Sequence, residues 1–180
     1  LLQQLNLLET LMRRDDSLET LREAVATIEG LLAHINLATD RSTILGLEGS
    51  AAAAYFRALS SALPQELQFS RRSKRPPKDV VNACLSYGYA ILLGECVGAI
   101  AAAGLDPAIG VLHQPDGRRP SLALDLMEAF RPLVVDRAVI DRCRRGGITA
   151  AHGQADSSNH GVSLTAEGKR RLVDAYENRM

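Results

Sequence analysis

The sequence predicts an all-α domain, and three observations carry that prediction. Aromatic residues make up only 4% of the 180 and Trp is absent, while Ala and Leu abound, a composition that suits packed helices better than a β-sandwich. Apolar residues recur at i, i+3 and i+4 through long segments. No strand-like pattern exceeds three or four residues, and no internal repeat is present. The length suits one domain with its own core, residues 1–180.

The elements follow in order. Leucines at 1, 2, 5, 7, 8 and 11 predict a first helix over Leu1 to Met12, ended by the charged turn at residues 13–16. Asp16 with Glu19 makes a capping-box-like start for a second helix through about Leu37, with Leu21, Val25, Ile28 and Leu32 facing inward. Ser42 or Thr43 caps a third helix through about Ala62, which Pro64 limits. From Glu66 to Lys78 the chain is polar and basic, and consecutive prolines make it a loop. Pro77 or Asp79 opens a central apolar helix that closes at Gly104. Leu105 to Arg119 is irregular, and Pro120 and Ser121 open a helix to about Arg145 in which Pro132 predicts a kink or a break into two helices. Gly146 to Gly161, rich in Gly and Ser and without apolar periodicity, is expected to be a mobile loop. Thr165 caps the last helix, with Leu172, Val173 and Tyr176 on its apolar stripe.

Bulk properties narrow the function classes. Lys and Arg balance Asp and Glu at 21 each, so any polyanion partner must be read by local clusters. Cys84, Cys96 and Cys143 form no C-x-x-C pair, which argues against a thiolate zinc site and points to a reducing cytoplasm. Cys84 and Cys96 would lie about 18 Å apart along one helix, too far for a disulfide. Val80 to Ala103 raises a membrane question, but Asn82, Ser86, Tyr87, Tyr89 and Glu95 interrupt it and favour a buried core helix. The chain lacks an initiator Met and is expected to begin inside a larger protein.

Several residues could carry chemistry. Asp125 and Glu128, at i and i+3, fall on neighbouring positions of one helix face, an arrangement that is either a pair of solvated charges or part of a metal site. His113 ends the apolar run I-G-V-L-H, where a structural histidine is the simpler reading, and Pro115, Gly117 and Pro120 let the chain fold back toward Asp125. Glu48 sits among Gly46, Gly49, Ser50 and four alanines, whose small side chains admit a close helix, and burying it calls for a hydrogen-bond partner or a cation. Arg71, Arg72, Lys74, Arg75 and Lys78 put five positive charges into eight residues, either a solvated loop or a phosphate-binding one. Arg118, Arg119 and the Arg142, Arg144, Arg145 and Lys169 to Arg171 groups are weaker candidates of the same kind. Aromatic residues do not interleave these clusters, so backbone contact rather than base stacking is indicated.

The segments L-G-L-E-G-S-A-A-A-A-Y-F, R-R-S-K-R-P-P-K-D-V-V-N-A-C-L-S-Y-G-Y-A-I-L-L, G-L-D-P-A-I-G-V-L-H and S-L-A-L-D-L-M-E-A-F-R-P, in this order, resemble the helical catalytic domain of the CRISPR adaptation integrase. The resemblance implies that Glu48, His113 and Asp125 are the catalytic metal ligands, holding Mg²⁺ or Mn²⁺, with Glu128 beside them and Asn82 orienting the site loop. It implies a divalent-metal-dependent endonuclease and integrase that joins DNA 3′ ends to a repeat array by transesterification, with Arg71, Arg72, Lys74, Arg75 and Lys78 on the DNA. The implied partners are prespacer and CRISPR repeat DNA, the second adaptation protein, and a second copy in the full-length protein; no membrane is implied. The family's β-rich N-terminal domain has no counterpart in these 180 residues. A mobile-element integrase of the same fold and an inactive DNA-binding scaffold are the alternatives.

Overall fold

The computed structural model describes residues 1–14, 19–112, 119–158 and 160–179. Among the described residues seven α-helices run in chain order: α1 Leu2–Met12, α2 Glu19–Ile35, α3 Arg41–Ser61, α4 Val80–Ala102, α5 Ser121–Phe130, α6 Arg137–Arg144 and α7 Ala166–Glu177. A π-helical segment, Arg131–Asp136, joins α5 to α6, and two short strands, β1 Gly153–Asp156 and β2 Gly161–Leu164, precede α7. Among the described residues the domain is all-α apart from this hairpin. The capping expected of Asp16 lies outside the described residues.

Two helical groups share one core. α1, α2 and α3 pack on one another through Leu8, Leu11, Leu21, Ile28 and Leu59, all at most 1% exposed. α4 is the axis of the second group and packs against α5, the π segment, α6, α7 and both strands. α1 also packs on the π segment, which ties the two groups together. By length and composition α4 could cross a membrane; here its first half packs inside the protein, with Val81, Cys84 and Leu85 fully buried, and its second half is buried on one side through Leu92, Cys96 and Ile100. All three cysteines are buried free thiols.

Helix ends follow local chemistry. α3 is capped by Asp40, not by Ser42 or Thr43: its carboxylate accepts from the Thr43 amide at 2.9 Å and from both hydroxyls. An acceptor at the N-cap is what the exposed amides need, and the two hydroxyl residues donate to it instead. Asp79 caps α4 through the Asn82 amide at 2.8 Å, and Thr165 caps α7 through the Gly168 amide at 3.1 Å. α4 ends at Gly104, whose φ of +75° suits glycine, while the Leu105 amide reaches back to the Ile100 carbonyl.

The break at Pro132 appears as a π turn. Proline lacks an amide hydrogen and its ring excludes the carbonyl four residues back, so the α ladder cannot continue through it. The wider turn carries Asp136 into the interior at 1% exposure and brings Val135 against α4. There Gly88 gives the room: a Cβ at that position would lie 2.6 Å from Val135 Cγ1.

The segment 146–161, expected to be a mobile loop, contains most of the antiparallel hairpin, with Gly153 opposite Leu164 and Asp156 opposite Gly161. Docking supplies what periodicity lacked. The Val162 amide donates to the Pro77 carbonyl at 2.9 Å, and the Thr165 amide to the His152 carbonyl at 3.0 Å. Thr149 and His152 cap each other, and Asp156 accepts from the Ser158 amide to close the turn.

Candidate active site

A cleft of about 650 Å³ opens between α3, α4, α5 and the basic loop. Glu48 enters it from α3 and Glu128 from α5. Ala52 and Phe56 follow Glu48 on the same wall at i+4 and i+8, and Leu124 and Arg131 flank Glu128 at i−4 and i+3, so helical periodicity selects each lining. Glu128 pairs with Arg131, both only partly exposed. Glu48 thus shares the cleft with Glu128, the acid expected beside the ligands, and not with Asp125, the acid expected to be a ligand.

Asp125 does not line this cleft. Three helical positions separate side-chain directions by about 60°, and Asp125 turns toward the preceding segment. Its Oδ2 accepts from the Val111 amide at 2.7 Å and the Leu112 amide at 2.8 Å. Arg41 Nε of α3 donates to the Leu112 carbonyl. The residue just before His113 is therefore anchored from both helices that carry the acidic wall. His113 itself, like Arg118, lies outside the described residues.

The basic run divides. Lys74 and Arg75 are exposed and line the cleft, as does Arg119. Arg72 also lines it but is half-buried and committed within the fold: Nη1 donates to Asn82 Oδ1 at 2.9 Å and to the Ser73 carbonyl at 2.5 Å, and Nη2 to Ser86 Oγ at 3.0 Å. Burial pulls its guanidinium below the ordinary arginine value, an effect the Tyr89 and Asp136 environment opposes. Arg71 and Lys78 do not line the cleft, and Lys78 Nζ is 3.4 Å from the His160 carbonyl.

Asn82 pins this loop to α4. Fully buried, it donates from Nδ2 to the Arg71 carbonyl at 2.9 Å and to Asp79 Oδ2 at 2.6 Å, and accepts from the Ser73 amide at 2.8 Å. Burial pushes the Asp79 carboxyl up, against the hydrogen bonds from Asn82.

Three groups were not singled out by sequence reasoning. Asp136 lies at the inner end of the cleft and accepts from Tyr55 Oη at 2.8 Å and Tyr89 Oη at 2.5 Å. Burial pushes its carboxyl up to about 6, with the two hydroxyl hydrogen bonds and the charges of Arg131 and Arg72 opposing. Tyr55 is fully buried, and Arg131 sits between Glu128 and the Tyr89 ring. One sequence signal existed: Asp136 is an acid inside the apolar run P-L-V-V-D-R-A-V-I.

Comparison with known proteins adds to this geometry. The family model described as CRISPR associated protein Cas1 matches residues 1–178. The chain belongs to the Cas1 family. It is 44% identical over 160 residues to a CRISPR-associated endonuclease Cas1 of Thermus thermophilus, covering 89% of this chain and 50% of that protein. It is 37% identical over 182 residues to a CRISPR-associated exonuclease Cas4/endonuclease Cas1 fusion of Geobacter sulfurreducens, covering 95% of this chain and 32% of the fusion. Among solved structures, a casposase bound to integration product superposes with a TM-score of 0.83 at 30% identity, over 98% of this chain and 48% of the casposase. The chain spans at most about half the length of these relatives. Its helical fold accords with the C-terminal helical domain of the family.

Among the described residues no group of three His, Cys, Asp or Glu stands together as a ready metal site. Glu48 and Glu128 nevertheless offer hard carboxylate oxygens to one cleft, which fits Mg²⁺ or Mn²⁺ rather than a thiophilic ion.

Proposed function

We propose that residues 1–180 form the DNA-cutting and DNA-joining domain of a longer CRISPR adaptation integrase, acting by divalent-metal-dependent transesterification. The observation that carries this reading is that Glu48 and Glu128 line one cleft together with the exposed Lys74, Arg75 and Arg119, in a chain of the Cas1 family. Glu48, Glu128 and the motif residue His113 hold Mg²⁺ or Mn²⁺ in this proposal. The ion supplies Lewis-acid polarisation of a phosphodiester and offsets charge on the exchanging oxygens.

The remaining work falls to the chain. Lys74, Arg75 and Arg119 hold DNA phosphates at the rim, contacts that carry no base identity. Asp125 takes the part of a positioning residue in place of the ligand role expected from the motif, because its Oδ2 already accepts from the Val111 and Leu112 amides. Asn82 keeps Lys74 and Arg75 at the cleft by fixing the backbone on both sides of Arg72. The nucleophile is a DNA 3′-hydroxyl in joining and water in nicking.

The partners proposed for the whole protein are prespacer and repeat DNA, the second adaptation protein Cas2 and a second copy of itself, in the cytoplasm. One similar solved structure is a Cas6-RT-Cas1–Cas2 complex, with a TM-score of 0.86 at 34% identity over 98% of this chain and 20% of that one. The casposase similarity favours strand transfer over hydrolysis alone as the underlying chemistry. The test is strand transfer of a DNA duplex with free 3′ ends into a repeat-bearing plasmid with Mn²⁺. Glu48→Gln and Glu128→Gln should lower the rate by about a hundredfold or more, the range for losing a transition-state stabiliser. Wild-type rates in the double variant would refute the reading.

A further inference from the structure

Asp136 has a role that the metal chemistry does not require. Burying a carboxylate is unfavourable relative to an apolar side chain, so its presence at 1% exposure calls for a compensating use. Its two oxygens are taken by tyrosine hydroxyls rather than by the nearby guanidiniums. Tyr55 approaches from α3 and Tyr89 from α4, and the π turn after Pro132 delivers the acid between them. The Tyr89 ring in turn faces two cations: Arg72 Cζ stands 5.4 Å and Arg131 Cζ 5.2 Å from its centroid. All four groups, Asp136, Tyr89, Arg72 and Arg131, line the cleft that holds Glu48 and Glu128.

We infer that Asp136 is a positioning residue: through the Tyr89 hydroxyl it sets the ring against which Arg72 and Arg131 lie, and so fixes the Arg131 guanidinium where a DNA phosphate enters the cleft. Cation–π contact orients a guanidinium only if the ring is itself held, and the hydroxyl is the ring's handle. Arg72 has further anchors on Asn82 and Ser86. Arg131 has Glu128, an acid that the proposed function commits to the metal, so Arg131 depends more on the ring. The phosphate part of this inference rests on the DNA-joining function proposed above.

The two tyrosines provide the test. Tyr89→Phe and Tyr55→Phe each remove one hydrogen-bond donor from the same carboxylate, yet only Tyr89 touches the guanidiniums. Two readouts separate positioning from general stability: hydrogen exchange at the buried Nε–H groups of Arg72 and Arg131 by NMR, and the salt dependence of affinity for a fluorescent forked DNA duplex. Tyr89→Phe should speed Arg131 Nε–H exchange by about tenfold as the side chain opens locally. It should also lower the slope of log affinity against log salt by about 0.9, one phosphate contact, although no charge has been removed. Tyr55→Phe should leave both readouts at the wild-type values. Asp136→Ala should reproduce Tyr89→Phe and Asp136→Asn, which keeps an acceptor, should restore it; if Asp136→Ala fails to fold, the tyrosine pair decides. DNA-binding wild type with an indistinguishable Tyr89→Phe, or equal effects in the two tyrosine variants, overturns this inference alone. Wild-type protein that binds no DNA overturns the proposed function and this inference with it.

Discussion

Replacing Asn82 by Ala removes the fastening between the basic loop and α4. Its side chain makes four hydrogen bonds: to the charged groups of Asp79 and Arg72, and to the carbonyl of Arg71 and amide of Ser73. A bond to a charged partner contributes about 1.5–3 kcal/mol and a neutral one about 1 kcal/mol, so the gross loss is about 5–8 kcal/mol. Water offsets part of it, because Arg72 and Asp79 are only half-buried. The expected net destabilisation is about 3–5 kcal/mol, against about 0.5 kcal/mol for an ordinary surface change. Asn82→Asp should not rescue it, since a second carboxylate would then face Asp79 Oδ2 across the present 2.6 Å contact. Urea unfolding followed by circular dichroism measures the total, and hydrogen exchange at the Ser73 amide reports the loop itself. A loss below about 1 kcal/mol with Ser73 still protected would refute the argument that this side chain holds the loop.

Three further outcomes are expected. Gly88→Ala drives a methyl into Val135, which is fully buried, and should cost about 1–3 kcal/mol by thermal unfolding; unchanged stability would mean the helix and π segment separate freely. Because burial raises the Asp136 carboxyl from 3.8 to about 6, the folded chain keeps a proton that the unfolded chain has lost. Stability should therefore fall by about 3 kcal/mol as pH rises through that window, and Asp136→Asn should abolish this component in paired unfolding curves. Neutralising Lys74 and Arg75 together should lower the salt slope of DNA affinity by up to about 1.8 with helix content retained, whereas Arg71→Ala with Lys78→Ala should change it little; the reverse ranking would move the phosphate path away from the cleft.

The helices were legible because each carries its own local signal. The leucine spacing of α1, the Asp79 and Thr165 caps and the break at Pro132 all appear where pattern and propensity put them. The hairpin was not, since Gly153, Ser158 and Gly161 have no alternating pattern and the strands gain order by docking on α4 and Pro77. In the site, the motifs pointed to Glu48 and, of the two α5 acids, to Asp125, whereas it is Glu128 that lines the cleft beside Glu48. That choice depends on how α5 is rotated against its neighbours, which spacing alone leaves open. Likewise Arg72 looked like any other cation of the basic run, and only its contacts with Asn82, Ser86 and Tyr89 distinguish it from Lys74 and Arg75. Asp136 was hidden inside an expected kink because a π turn redirects side chains by an amount no sequence periodicity encodes.

The most direct test of the account is Mn²⁺ binding followed by electron paramagnetic resonance in wild type, Glu48→Gln, Glu128→Gln and Asp125→Asn. The cleft geometry predicts that either glutamate change abolishes the bound-ion signal at Mn²⁺ concentrations that saturate the wild type. Asp125→Asn should still bind the ion, with weaker affinity, because its oxygen is occupied by the Val111 and Leu112 amides. Wild-type binding in Glu128→Gln together with loss in Asp125→Asn would contradict the account and return the ligand role to Asp125.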